Sequence, residues 1–284
     1  MRDLVLIGAD GMLGRCWAEL LAARGISHVA TTIEDLDITD PASVATFVKP
    51  GTQWVLNCAA YTLVDAAEEH EDLANEINGR AVGRLAERCA QVGAKLLHYS
   101  TDYVFSGTAS EPYPIDHPRH PVNAYGRSKA LGEELVEKSG VEHLLVRSSW
   151  LYAPWATNFV LTIRKLAMSR ESLRVVDDQR GRPTDSRRLA EVSLALAELG
   201  QRGIFHVTDS GECSWFELAV AIVSGLGLEC QVSPCHSEKF PRPAARPAYS
   251  VLDLGETEAR IGPSRSWRSN LADVLAELSA PDAA

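Results

Sequence analysis

The chain has 284 residues, 28 Lys+Arg against 38 Asp+Glu for a formal charge of −10, and 45% hydrophobic residues. That length suits one large domain or two modest ones with a sizeable core, and the acidic balance argues against broad electrostatic capture of nucleic acid or an anionic membrane. The longest uncharged apolar runs, residues 54–64 and 218–228, fall short of the roughly 18–20 residues a spanning helix needs, so no membrane partner is expected. Met1–Leu4 leads straight into a strand-like segment and carries no cleavable signal pattern. The six cysteines are scattered without a CxxC pair, which reads as free thiols in a reducing cytoplasm and gives no metal framework.

Short apolar runs alternate with helix-length amphipathic ones, the rhythm of a parallel sheet covered by helices. Leu4–Ile7 reads as the first strand and leads into a helix near 13–24, followed by a strand at His28–Thr31. Asp40-Pro41 supplies an N-cap and a proline at the first helical position for a helix near 41–48. Trp54–Cys58, a helix over 72–92, Lys95–Ser100, a helix over 125–138 and Leu144–Ser148 continue the alternation. The loop Ser106–Asn123 carries four prolines and is expected to lie over a cleft. Beyond residue 150, helices near 157–170, 186–199 and 214–226 are separated by Asp177–Thr184 and Pro234–Pro247, loops rich in Arg, Pro or Gly. Ser279–Ala284 reads as a frayed tail. The expected fold is α/β: a Rossmann-type doubly wound parallel sheet over residues 1–150, then a smaller C-terminal α/β substrate-binding domain over 151–284, with segments able to return to the first sheet.

Gly8-Ala9-Asp10-Gly11-Met12-Leu13-Gly14 lies between the first strand and the first helix. Glycines there turn the chain tightly and let backbone approach a pyrophosphate, while the helix N-terminus supplies N–H donors and partial positive charge. The spacing is GxxGxxG, and its place after the first strand of an alternating chain favours a dinucleotide site over an ordinary turn. The second strand ends in Thr31-Thr32-Ile33-Glu34, with neither a clear acid nor an arginine at the tip, so NADH and NADPH both stay open. Asp37 either accepts from an adenine amino group or caps the turn before the next helix.

Tyr125 and Lys129 in Tyr125-Gly126-Arg127-Ser128-Lys129 share one helix face about a turn apart. An ammonium beside a phenol stabilises the phenolate and is expected to lower the phenol's pKa. Thr101, at the carboxyl end of the Lys95–Ser100 strand, faces the ligand crevice of such a sheet. The chemistry this trio suits is hydride delivery from a nicotinamide to a carbonyl, with Tyr125 as proton donor, Lys129 holding it ready and Thr101 orienting the carbonyl. It requires no metal. Read singly, each residue has a bland alternative as a solvated helix face or a packed strand residue; their order behind a phosphate loop is what argues for a site.

Together these features resemble the extended short-chain dehydrogenase/reductase superfamily. Leu36–Asp40, Asn57–Asp65, Tyr99–Phe105, Tyr125–Lys129, Arg147–Tyr152, Asn158-Phe159, Asp178–Thr184 and Ala245–Pro247 extend the resemblance to its reductases of nucleotide-linked 4-keto-6-deoxyhexoses. The resemblance implies reduction of such a sugar, dTDP-4-dehydro-L-rhamnose to dTDP-L-rhamnose above others, with NADPH or NADH. It places Gly8, Gly11, Met12 and Leu13 at the pyrophosphate, Asp37 and Ile38 at the adenine, and Ala59, Ala60, Tyr61 and Thr62 along the cofactor. It puts Thr101, Asp102 and Tyr103 at the sugar, Trp150 against the hexose, and Asn158, Arg182 and Arg246 on the substrate side, the two arginines toward its diphosphate. Some relatives dimerise through a magnesium site at a Glu just after the glycine loop; Arg15-Cys16 stands there, so a monomer or a homodimer without a metal bridge is expected. Tyr249 replaces a residue that is usually smaller and is expected to alter the nucleotide pocket. A sister reductase for another deoxysugar is the rival within enzymes. A non-catalytic regulatory subunit that keeps the fold is the rival outside them, and the intact trio argues against it.

Overall fold

A computed structural model describes residues 3–279 of the chain. Its first part runs β1 (Leu4–Ile7), α1 (Met12–Ala23), β2 (His28–Thr31), α2 (Pro41–Phe47), β3 (Trp54–Asn57) and α3 (Glu71–Asn75). A π-turn at Glu76–Arg80 carries α3 into α4 (Ala81–Val92), followed by β4 (Lys95–Thr101), α5 (Ala124–Lys138) and β5 (His143–Ser148). The rest comprises β6 (Leu151–Tyr152), α6 (Phe159–Ala167), β7 (Ser172–Val176), β8 (Arg180–Gly181), β9 (Thr184–Asp185) and α7 (Ser186–Glu198). β10 (Gly203–His206), β11 (Cys213–Ser214), α8 (Trp215–Gly225), β12 (Gln231–Cys235), α9 (Gly255–Ile261) and α10 (Trp267–Ser279) complete it. The expected tail falls outside the described residues apart from Ser279, which ends α10.

Six strands form one parallel sheet in the order β2-β1-β3-β4-β5-β10. Side chains alternate across it, so β1 feeds two cores. Leu4 and Leu6 pack with Leu13, Trp17 and Leu21 of α1 and Leu189 and Leu194 of α7; Val5 and Ile7 pack with Val44 of α2, Val82 and Leu85 of α4 and Val136 of α5. Fully buried side chains such as Leu21 and Leu85 each contribute about 2 kcal/mol by leaving water. Helices on both faces make the sheet doubly wound, as expected. Chain order reverses between β1 and β3, so a crevice opens beyond their carboxyl ends.

β10, drawn from the second half of the chain, pairs with β5 in this sheet. The remaining elements build a lobe in which α6, α8 and α10 surround the parallel pair β7–β12, with Val160, Ile163, Leu173, Leu218, Ile222 and Leu271 in its core. The proline-rich loop packs beside the end of β4: Tyr113 stacks on Phe105 at 4.5 Å between centroids, and the Ile115 carbonyl accepts from Arg147 at 2.8 Å. The six cysteines are free, and no helix among the described residues is long and apolar enough to cross a membrane.

Candidate active site

The glycine loop has the shape its sequence suggests. Gly8 adopts φ +76°, and a Cβ there would lie 2.9 Å from the Ala59 nitrogen; one on Gly14 would lie 1.9 Å from the Gly8 carbonyl oxygen. The loops after β1 and β3 therefore meet backbone to backbone, and α1 starts hard against the turn. Gly11 is the N-cap of α1 and gives no side-chain cap, leaving the first-turn amides of Met12 and Leu13 to a ligand. This cradle fits a pyrophosphate. Gly8 and Ala9 donate to the Thr31 carbonyl at 3.0 and 2.9 Å, which ties the loop to the end of β2.

That end is acidic. The Thr32 hydroxyl donates to Glu34 at 3.0 Å and Asp35 at 3.1 Å. Asp37 accepts from the amide and hydroxyl of Thr39 at 2.8 and 2.7 Å, so one of its oxygens caps the turn, and Ile38 is buried in the core. Past β3, the Ala59 amide donates to Asn57, and Tyr61 is clamped by Asn78, whose side chain accepts from its amide at 2.8 Å and donates to its carbonyl at 2.9 Å. Asn78 also donates to Ser128 at 2.9 Å, locking this loop to the helix that carries Tyr125 and Lys129. Asn78 escaped the sequence reading; the π-turn that aims it has no local sequence signature.

β4 delivers Thr101 and Asp102 to the crevice, and α5 delivers Tyr125 and Lys129. Asn123 caps α5 by accepting from Gly126 at 2.7 Å, and a Cβ on Gly126 would lie 2.2 Å from the Tyr103 carbonyl oxygen, so α5 starts directly against the end of β4. Thr101 donates to Asp102 at 2.9 Å, and the Tyr103 ring meets Tyr125 edge-on at 5.9 Å. Burial pushes the Asp102 carboxyl up to about 6, against hydrogen bonds from Ser250 and Thr101 that pull it down. Tyr125 corrects one expectation. Its phenol is held above its usual range by burial and by the Asp102 carboxylate, with Thr101 pulling the other way, and Lys129 is not among the groups acting on it. The phenol is thus kept protonated. Burial brings the Lys129 ammonium down to about 8, opposed by the Glu133 carboxylate one turn further along α5.

Beside this trio a cavity of about 810 Å³ opens into the second lobe, lined by Tyr103, Phe159 and Trp215 and by four arginines, 170, 174, 242 and 246. Arg246 is part-committed: it pairs with Asp65 at 3.0 Å and donates to the Ala244 carbonyl at 2.9 Å. The first three arginines escaped the sequence reading, because only the tertiary fold converges them. Arg182, between β8 and β9, does not line this cavity; its neighbours in charge are Glu212, Glu258, Tyr249 and Asp253. Asn158 is the N-cap of α6 and gives its amide nitrogen to the carbonyls of Ala153, Trp155 and Ala156. Tyr249 turns to Glu212 at 3.4 Å, away from the cavity lining. Trp150, at φ +49°, stacks on Trp215. Arg15 lies over the Trp155 ring at 4.2 Å and pairs with Glu19.

A doubly wound sheet with a glycine-turned first loop and a Thr/Tyr/Lys crevice is the architecture of the extended short-chain dehydrogenase/reductases. Within that class the chain belongs to the RmlD substrate binding domain family, whose model matches residues 1–280. It is 40% identical over 97% of its length to a dTDP-4-dehydrorhamnose reductase of Mycolicibacterium smegmatis, covering 85% of that protein. It is 39% identical to a dTDP-4-keto-6-deoxy-D-glucose reductase of Streptomyces niveus, over 99% of this chain and 100% of the relative. Among solved structures it is similar to a dTDP-4-dehydrorhamnose reductase of Bacillus anthracis in complex with NADP, with a TM-score of 0.92 and 36% identity over 97% of this chain and 99% of that one.

Proposed function

We propose that this protein reduces the 4-keto group of a dTDP-linked 6-deoxyhexose with NADPH, converting dTDP-4-dehydro-L-rhamnose to dTDP-L-rhamnose. The observation that carries the reading is the junction of the Thr101/Tyr125/Lys129 crevice with the arginine-lined cavity: a carbonyl-reducing site beside a chamber suited to a nucleoside diphosphate. Residues 1–150 are read as the cofactor and reaction half, and the remainder mainly as the sugar-nucleotide half.

Gly8, Gly11, Met12 and Leu13 would hold the cofactor pyrophosphate, with Asp37 and Ile38 at the adenine side and Ala59–Thr62 along its length. When bound, the cofactor supplies hydride for the sugar's carbonyl carbon. Thr101 and Asp102 orient the carbonyl, and the phenol of Tyr125 hands its proton to the developing alkoxide. The phenol is protonated at neutral pH, as a donor must be, while its upward shift leaves it a weaker acid than a free phenol until the cofactor and sugar are in place. Lys129 would hold the cofactor ribose. The diphosphate lies among Arg170, Arg174, Arg242 and Arg246. The protein works as a monomer or an unbridged dimer in the cytoplasm, which its free thiols fit.

Two features set the arms of the test. The acidic end of β2 keeps NADH in play as a second reductant. The similarity to the S. niveus relative makes a sister deoxysugar the second reading. Purified protein is expected to oxidise NADPH with dTDP-4-dehydro-L-rhamnose faster than with other keto-sugar nucleotides. Tyr125→Phe is expected to lower kcat by at least about a hundredfold while cofactor affinity holds. An unchanged rate in that variant sinks the mechanism, and preference for another sugar moves the assignment to a sister reductase.

A further inference from the structure

Two stacked indoles lie beyond the end of β5, and one of them, Trp215, is in the cavity wall. Ser148 is the register partner of Thr101, so Trp150 leaves the sheet two residues beyond the catalytic end of β4. Trp215 opens α8 and lines the cavity. Their rings stack face to face, 3.6 Å between centroids and 10° from parallel.

Trp150 holds a backbone conformation that non-glycine residues rarely adopt, at φ +49°, a strain that persists only where the surroundings over-determine it. Three contacts do so. The Trp150 carbonyl accepts from the Thr184 amide at 3.2 Å. Gly181 makes room for the indole, since a Cβ there would lie 2.6 Å from the ring. The third contact is Trp215, which is itself fixed. The capping box of Ser214 and Glu217 holds the start of α8, Ser214 donates to Asp177, and Phe159 packs on the Trp215 ring at 4.5 Å.

We propose that Trp215 is a positioning residue for the reduction: stacked on Trp150, it holds that indole against the hexose, so that a substrate anchored by its diphosphate presents one face of its keto carbon to Tyr125. The inference rests on the reductase reading above. Trp215 acts through Trp150 on orientation, and so on turnover more than on affinity.

The test compares W215L, which keeps bulk without an aromatic plate, with W215F, which keeps the plate; far-ultraviolet circular dichroism and thermal unfolding check that both are folded. W215L is expected to lower kcat at saturating sugar nucleotide by roughly tenfold to a hundredfold. Its Kd for dTDP alone should stay within about threefold of wild type, and W215F should regain most of the rate. The exciton couplet of stacked indoles in the circular dichroism spectrum should be present in the wild type and absent from W215L and W150L. An unchanged kcat in W215L, whatever its Kd, overturns the inference, as does W215F turning over as slowly as W215L. A wild type inert toward every keto-sugar nucleotide sinks the reductase reading and the inference with it; an active wild type with an unimpaired W215L sinks the inference alone.

Discussion

Lys129 is only 3% exposed, and burial lowers its ammonium to about 8 from an ordinary 10.5. Between pH 10.5 and 8 the unfolded chain takes up a proton that the folded chain does not, so stability falls as pH drops through that window and is level below it. The charge therefore costs on the order of 3 kcal/mol at neutral pH. Lys129→Met is expected to unfold at higher urea than wild type at pH 7, to lose that advantage above pH 10.5, and to be nearly inactive. In the wild type, kcat/KM should decline as pH rises past about 8, where the free enzyme's ammonium is lost. The Tyr125–Lys129 pair was legible because a four-residue spacing on a helix is a local property. The sign of the Tyr125 shift was not, since it depends first on burial by the folded chain and then on Asp102 arriving from another element. Asn78 looks like an ordinary polar residue until the fold sets it between the loop after β3 and α5, and Arg170, Arg174 and Arg242 do until the fold brings them to one cavity.

At the scale of elements, the turn from β1 into α1 shows which glycines carry weight. A Cβ at Gly14 has backbone 1.9 Å away and nowhere to go, whereas one at Gly11 meets a single atom at 3.3 Å. Gly14→Ala must push α1 off the loop and turn its first-turn amides away from the cradle. We expect Gly14→Ala to weaken NADPH binding by more than about tenfold in a fluorescence titration, with Gly11→Ala closer to wild type. The five strands of the first half were legible nearly to their ends, because short apolar runs set between turns and helices have few other homes. β10 was missed: Gly203–His206 is four residues long, and what makes it a strand is an open edge on β5. The proline-rich loop drew an expectation from composition alone, while its path is set by the stacking of Tyr113 on Phe105 and by Arg147 beneath it.

At the scale of the whole molecule, the buried pair of Glu133 and Arg147 ties α5 to the centre of the sheet. Arg147 donates to both carboxylate oxygens at 2.9 and 2.7 Å, and neither side chain is more than 2% exposed. Its third nitrogen reaches the Ile115 carbonyl and the ring of His206 on β10, and Arg119 from the same loop adds a second cation to Glu133. Burial raises the Glu133 carboxyl, and the hydrogen bonds and charge of Arg147, with Ser100 and Arg119, outweigh it and hold the carboxyl below its usual range. The pair's stability is present above the ordinary carboxylate range and is lost as pH falls through the depressed value. Glu133→Ala or Arg147→Ala strands a buried charge, and each is expected to lower the unfolding free energy by about 3–5 kcal/mol in urea titrations.

The sequence by itself determined what depends on neighbours in the chain: the strand-and-helix alternation, the glycine turn, the Tyr–Lys spacing, and so the class of chemistry. Only the tertiary structure decided which arginines face the cavity, that Asn158 ties up its own loop, that Arg182 lies elsewhere, and that Trp150 is backed by Trp215. The physical reason is one of range. A periodicity or a turn is settled by contacts a few residues apart. A binding surface is the sum of side chains brought together from distant elements, and their direction is set by packing that no local pattern encodes.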